Sequence, residues 1–189
     1  MEAEIIRDAT LDASGKLNLQ AGGEPFFPAI PISVRADQPR GTWELTKEEP
    51  STWRRGVYAY VKRGLKYPMF EVFDEPDLNV TSEKRATSTV PTQALTLLNN
   101  EFMLIQAGHF ADRVLKEAGA DAEKEIRTMY RIALSREPTP SEIRNNLSFL
   151  ERQRAWAGSK GGTPESAVRS ALADLAHVTL NLNEFVYIE

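Results

Sequence analysis

Asp121-Ala-Glu-Lys-Glu-Ile126-Arg-Thr-Met129-Tyr130-Arg-Ile-Ala133-Leu134-Ser-Arg136-Glu-Pro-Thr139-Pro140-Ser141-Glu142 decides the fold class. Ile126, Met129, Tyr130, Ala133 and Leu134 recur at steps of three and one, the period of an α-helix with one apolar stripe. Asp121 stands where an N-cap belongs. Thr139-Pro140-Ser141-Glu142 reads as a capping box with proline at the first helical position, so a second helix starts there. That helix carries Ile143, Leu147 and Leu150. Arg136, near the end of the first helix, suits the negative end of the helix dipole.

Further along, Lys160-Gly161-Gly162 reads as a loop and Thr163-Pro164 as the start of another helix, with Val168, Ala171, Leu172, Leu175 and Thr179 on one face. The closing Asn183-Glu-Phe-Val-Tyr-Ile-Glu189 is expected to pack back on these helices. Towards the N-terminus, residues 92–98 form a helical segment that Asn99-Asn100 can end while capping the next. Residues 101–118 then carry Phe102, Ile105, Ala111, Val114, Leu115 and Ala118. Each stripe is apolar on one side only. These helices therefore need one another, with roughly 1.5–3 kcal/mol for each large side chain buried. Short connections imply antiparallel neighbours. The expectation is a mainly α fold, an antiparallel bundle of about four to five helices.

The front of the chain reads differently. Residues 2–14 look helical, with Ile5, Ala9 and Ala13 four apart and Ile6 beside them, and Gly15 as the stop. Gly22, Gly23, Pro25, Pro28, Pro31, Pro39 and Pro50 then punctuate residues 18–50. Proline removes backbone donors and disfavours helix before it, so this stretch reads as an extended arm lying on a surface supplied by a neighbouring domain. Val57, Ala59 and Val61 alternate with Tyr58 and Tyr60, which favours a short strand, paired near Thr42–Leu45 as a β-ribbon, although Val57, Tyr60 and Val61 also fit a helical face. The expected organisation is one structural domain overall, part of a larger protein: 1–50, helix and arm; 51–90, basic and aromatic segment with an acidic turn; 91–189, helical bundle.

Composition narrows the function. Apolar residues at 41% and charged residues at 26% are those of a globular chain. A net charge of −4 lacks the basic balance of a nucleic-acid binder. There is no cysteine, which excludes disulfides, zinc-thiolate sites and covalent haem attachment within these residues. No apolar run is long enough to span a membrane. The opening Met-Glu-Ala-Glu-Ile-Ile-Arg-Asp lacks the form of a signal peptide and reads as a start inside a helix, so a longer natural polypeptide is expected upstream.

Several clusters are candidates for chemistry. Glu71, Asp74, Glu75, Asp77 and Asn79 supply hard oxygens at short spacing, but not at EF-hand spacing and without its glycine. Capping and pairing with arginine are the plainer reading, and no metal site is expected. Arg54, Arg55, Lys62 and Arg63 with Tyr58 and Tyr60 make a basic, aromatic patch that suits an anion or acidic glycan, or pairing with the acidic turn. Arg85 with Thr87, Ser88 and Thr89 precedes the helix start at Pro91, where an anion or a simple cap fits. Trp43, Trp53 and Trp156 suit sugar stacking or docking. His109 and His177 lack an evident third ligand.

Taken in order, several stretches are similar to one family: Arg54-Arg55-Gly-Val-Tyr with Val61-Lys62-Arg63; Phe73-Asp74-Glu75-Pro76-Asp77; Arg85 with Thr87 through Leu95; Leu97-Leu98-Asn99; Tyr130 through Thr139; and Leu180 through Tyr187. Together they resemble the planctomycete-specific domain of unknown function found at the C-terminal end of cytochrome c-like, cytochrome-associated surface proteins. That resemblance implies an exported multidomain protein whose haem sits in a fused upstream domain, with no cofactor in these residues. Many relatives carry a cysteine near positions 81–82, which here are Thr81 and Ser82, so no role of that cysteine carries over.

Three functions follow as expectations. The first is a non-catalytic docking module packed on upstream domains of the same polypeptide. The second is part of a composite active site of a polysaccharide-processing or redox enzyme, with Asp74, Asp77, Arg54 and Arg55 as candidates. The third is a carbohydrate- or anion-binding module using Trp43, Tyr58, Tyr60 and the basic residues.

Overall fold

The computed structural model describes residues 1–31, 47–77, 79, 81 and 83–187. Among them are eight α-helices: α1 (Ala3–Ala13), α2 (Pro68–Val72), α3 (Pro91–Asn99), α4 (Glu101–Ala118), α5 (Ala122–Leu134), α6 (Pro140–Ser159), α7 (Pro164–Leu180) and α8 (Asn183–Val186). Two short 3-10 turns, Pro50–Thr52 and Gly56–Tyr58, complete the regular structure, and the described residues hold no strand. The fold is mainly α, as the apolar stripes require. The chain divides into two compact units, Met1–Leu11 with Lys16–Thr96, and Asp12–Gly15 with Leu97–Glu189.

In the second unit α7 packs most extensively on α4 and α6, while α5 meets α4, α6, α7 and α8. Side-chain pairs give the helix directions. Arg169 on α7 bonds Asp112 on α4 at 2.6 Å, and His177 Nε2 lies 3.1 Å from the carbonyl of Leu97 on α3, just ahead of α4, so α7 runs against α4. Glu125 pairs with Arg154, and Tyr130 with Asn146, so α6 runs against α5. Phe110, Met129, Leu150 and Leu172 are each 0% exposed at the centre. The start signals all hold: Asn100 accepts from Phe102 N, Asp121 from Glu123 N and Lys124 N, Thr139 from Glu142 N, and Thr163 from Ser166 N. The inward face of α4 differs from the expected one. Met103, Gln106, Ala107 and Phe110 are buried, whereas Ile105, Leu115 and Ala118 are only half-buried. Gln106 takes a core place because its amide oxygen accepts from Ser14 Oγ at 2.8 Å.

The first unit departs further from expectation. Helix α1 is rotated relative to its predicted stripe: Ala3, Ile6, Arg7, Thr10 and Leu11 are buried and Ile5 is 48% exposed. Arginine can enter because backbone carbonyls meet it. Arg7 Nη1 donates to Arg54 O at 2.7 Å and Nη2 to Thr52 O at 2.5 Å, with the guanidinium 4.8 Å from the Phe26 ring centroid. The expected strand at 57–61 is instead the turn Gly56–Tyr58 followed by one isolated bridge from Ala59 to Phe26. Gly56 fits there because a Cβ would lie 2.9 Å from Glu4 Cβ. The expected pairing partner, Thr42–Leu45, lies outside the described residues, as does Trp43. The predicted arm is, over residues 18–26, bound to this same unit: Asn18 and Phe26 bridge to Arg54 and Ala59, and Phe26 and Ile30 are buried. Residues 32–46 of that stretch lie outside the described residues.

Candidate functional site

The most connected of the sequence-derived candidates is Arg54. It is 8% exposed. Nη1 donates to Glu24 O at 2.6 Å, and Nη2 donates to Gly22 O and to Gln20 O. Its Cζ stands 4.2 Å from the Tyr58 ring centroid, and the Tyr58 hydroxyl accepts from Gly22 N at 2.9 Å. A guanidinium offers five N–H donors in a planar fork, and here that fork closes a glycine-bearing loop whose Gly22 and Gly23 have positive φ. The backbone carbonyl of Arg54 in turn receives Arg7. Two arginines thus peg α1, the 52–58 segment and the 20–26 loop together through carbonyl oxygens. Tyr60 packs on Phe27 with ring centroids 4.6 Å apart.

The expected pairing of this patch with the acidic turn is not what the structure shows. Arg55 reaches Asp8 on α1 at 3.6 Å. Burial pushes the Asp8 carboxyl up, while the Gly56 N–H, Arg7 and Arg55 pull it down. Lys62 and Arg63 make no ion pair among the described residues. Arg85 binds Glu4 at 2.7 Å and Glu2 at 3.3 Å rather than waiting for an anion at the start of α3.

Asp74 has φ +61, in the left-handed region that Asp tolerates better than most residues. Its carboxylate accepts from Ser88 N at 2.6 Å and from Ser88 Oγ at 2.9 Å. Asp77 closes a small turn on Asn79, and those two hydrogen bonds hold its carboxyl below the usual carboxylate range. Gln93, buried on α3, donates to Val72 O and Ser88 O and so ties the acidic turn to the helix that follows. Glu75 beside it keeps one oxygen out of water with no partner, and burial followed by the nearby Glu4 charge pushes its carboxyl up. The described residues contain no group of three or more His, Asp or Glu placed to hold a metal ion. None of their helices is long and apolar enough to cross a membrane.

A second location emerges in the bundle. Where the α5–α6 turn meets the α7–α8 turn, a cleft of about 620 Å³ opens. Arg136 stands in it with Glu142 and Glu184 on either side. Its Nε and Nη2 donate to Glu184 at 2.6 and 2.8 Å, and Nη1 and Nη2 donate to Glu142 at 3.0 and 2.7 Å. Arg136 holds the Glu142 carboxyl down to about 2 and lowers Glu184 as well. Its Cζ sits 5.2 Å from the Tyr130 ring centroid. Asn145, Asn146, Asn181 and Asn183 line the remaining wall with Leu182. Ser135, with φ +54, caps α5 directly after Leu134, so Arg136 lies beyond the helix and reaches these carboxylates instead of the dipole.

The model of a family described as PSD1, a protein of unknown function (DUF1553), matches residues 1–150. The chain belongs to this family. No curated protein and no solved structure matches the chain. The PSD1 match includes the Arg54–Tyr58 segment, the acidic turn and the Tyr130–Thr139 stretch, and it ends inside α6. The asparagine wall of the cleft is thus only partly within the PSD1 match, since Asn181 and Asn183 follow it.

Sequence reasoning named Arg54, Tyr58, Asp74 and Ser88 as members of clusters, and the structure joins Arg54 with Tyr58 and Asp74 with Ser88. It missed Arg7 and Gln93, which look like ordinary surface residues of a helix. It missed the asparagines too, although Asn145-Asn146 is a visible pair and Asn181 and Asn183 fall inside a stretch already singled out.

Proposed function

We propose that this PSD1 chain is a non-catalytic docking and structural module whose partner is the preceding part of its own polypeptide. The exported, cytochrome-associated setting implied by the resemblance belongs to the same proposal. One observation carries it: beside its apolar core, the first unit leaves several large aliphatic side chains in water. Arg7 and Arg54 are 0% and 8% exposed, while Leu19, Val57 and Ile5 are 72%, 68% and 48% exposed. A surface that keeps large apolar side chains in water beside buried arginines suits a face completed by another body. The alternative readings find less support. The Asp74 oxygens are engaged by Ser88, which favours architecture over acid–base work. Tyr58 and Tyr60 each have one face covered, by Arg54 and Phe27, which reduces the stacking surface for a sugar.

The test is association in trans. The preceding part of the natural polypeptide, expressed separately, should bind this chain in calorimetry. Ile5→Lys with Val57→Lys should abolish binding while the far-ultraviolet dichroism stays unchanged. Full binding by the double variant, or no binding by the unaltered chain, would remove the proposal.

A further inference from the structure

We propose that the cleft between the α5–α6 and α7–α8 turns is a binding site for a neutral saccharide, held through asparagine amides. This inference concerns the second unit and does not depend on the docking reading. The cleft volume of about 620 Å³ falls in the range of small-molecule sites. Its chemistry selects the ligand class. Four asparagines present planar amides, each with two N–H donors and a carbonyl acceptor. Asn145 and Asn183 are exposed, and among the described residues their side-chain amides bond no protein group. Asn146 bonds the Tyr130 hydroxyl and Asn181 the His177 carbonyl, each through Nδ2, which leaves each Oδ1 to a ligand. A sugar hydroxyl both donates and accepts, so a row of vicinal hydroxyls satisfies such amides in either orientation.

Charge argues against anionic ligands. Arg136 is matched by two carboxylates, so the three charged groups together carry one negative charge. Phosphate, sulfate and acidic sugars are therefore repelled, and the one guanidinium is already saturated. The apolar residues of the lining are Leu182 and Tyr130, and the Tyr130 ring is only 5% exposed. Arg136 also fixes Glu142 and Glu184 through four hydrogen bonds, so the rim is ordered before any ligand arrives, which lowers the entropic cost of binding. With no free aromatic face, affinity rests on hydrogen bonds alone and is expected to be weak, in the millimolar range.

The test is a ¹H–¹⁵N NMR titration of the full chain with maltotriose, cellotriose and tri-N-acetylchitotriose, with sodium sulfate as the anionic comparison. At least one saccharide should shift the backbone amides of residues 136–146 and 181–184. Asn145→Ala with Asn183→Ala should weaken that binding about tenfold. If the double variant loses helical dichroism, Asn145→Ala alone, exposed on α6 and away from any cap, carries the comparison. The proposal is overturned if no saccharide moves these amides, if the variant binds as well as the unaltered chain, or if sulfate produces the larger shifts.

Discussion

Arg54 and Arg7 are polar members of an otherwise apolar core in the first unit. Each points its guanidinium at backbone carbonyls, groups that must find donors when they leave water. Lysine offers no planar fork, so Arg54→Lys removes most of the loop closure. Hydrogen bonds to charged groups are each worth roughly 1.5–3 kcal/mol net. The expected loss is about 2 kcal/mol or more, read from the urea midpoint, with faster amide exchange at residues 20–24. Asp74 offers a contrast with its neighbour Asp77. Alanine at 74 must hold a left-handed backbone, costing about 1–2 kcal/mol, and forfeits the acceptor for Ser88. Asp74→Ala is therefore expected to destabilise by about 2–4 kcal/mol, whereas Asp77→Ala, in an exposed turn, should be close to neutral. Equal effects in equilibrium denaturation would contradict this account of the acidic turn.

Between helices, charged pairs are more telling than their number. Glu125 on α5 is 1% exposed and meets Arg154 of α6 at 3.2 Å. Burial pushes its carboxyl up despite that partner. Removing the partner alone leaves a buried charge, so Arg154→Met should cost roughly 3 kcal/mol or more. Adding Glu125→Gln should recover most of it, a coupling that a double-mutant cycle reads directly. The Arg136 cluster titrates in the opposite sense. Glu142 and Glu184 have folded pKa values below their unfolded values, because Arg136 favours the charged form. Their contribution is present above the unfolded value of about 4.3 and disappears as pH falls through the folded value, about 2 for Glu142. The stability difference between the unaltered chain and Arg136→Gln should accordingly be largest near neutrality. It should shrink across that acidic window, as measured by denaturation at a series of pH values. A constant difference would show that the ion pairs do not stabilise the turn.

For the whole molecule, the decisive feature is that the bundle is completed late in the chain. The PSD1 match ends at residue 150, yet α7 is the helix on which α4 and α6 pack most extensively. Leu172, Ala176 and Leu180 are all 0% exposed. A chain cut after Leu150 would uncover Phe110 and Met129, whose burial is worth roughly 1.5–3 kcal/mol each. The truncated chain is expected to lose most helical dichroism and to elute as aggregates in size exclusion. A monomeric, helical 1–150 piece would mean that the second unit does not depend on α7.

Helix existence and helix starts were legible in the sequence because they depend on local chemistry. A cap at Asp121, Thr139 or Thr163 bonds an N–H two or three residues away, and a stripe such as Ile126, Met129 and Tyr130 repeats within one element. What the tertiary structure alone decided was where polar groups find partners distant in the chain. Arg7 is buried because Thr52 and Arg54 present carbonyls 45 and 47 residues later, which rotates α1 away from its predicted face. Tyr58 lies in a turn rather than a strand because Arg54 and Gly22 hold it there. The cleft asparagines, separated by an entire helix, become one wall only when the α5–α6 and α7–α8 turns meet. Hydrophobic period carries no record of such meetings, since a polar side chain reads the same whether water or a distant carbonyl receives it.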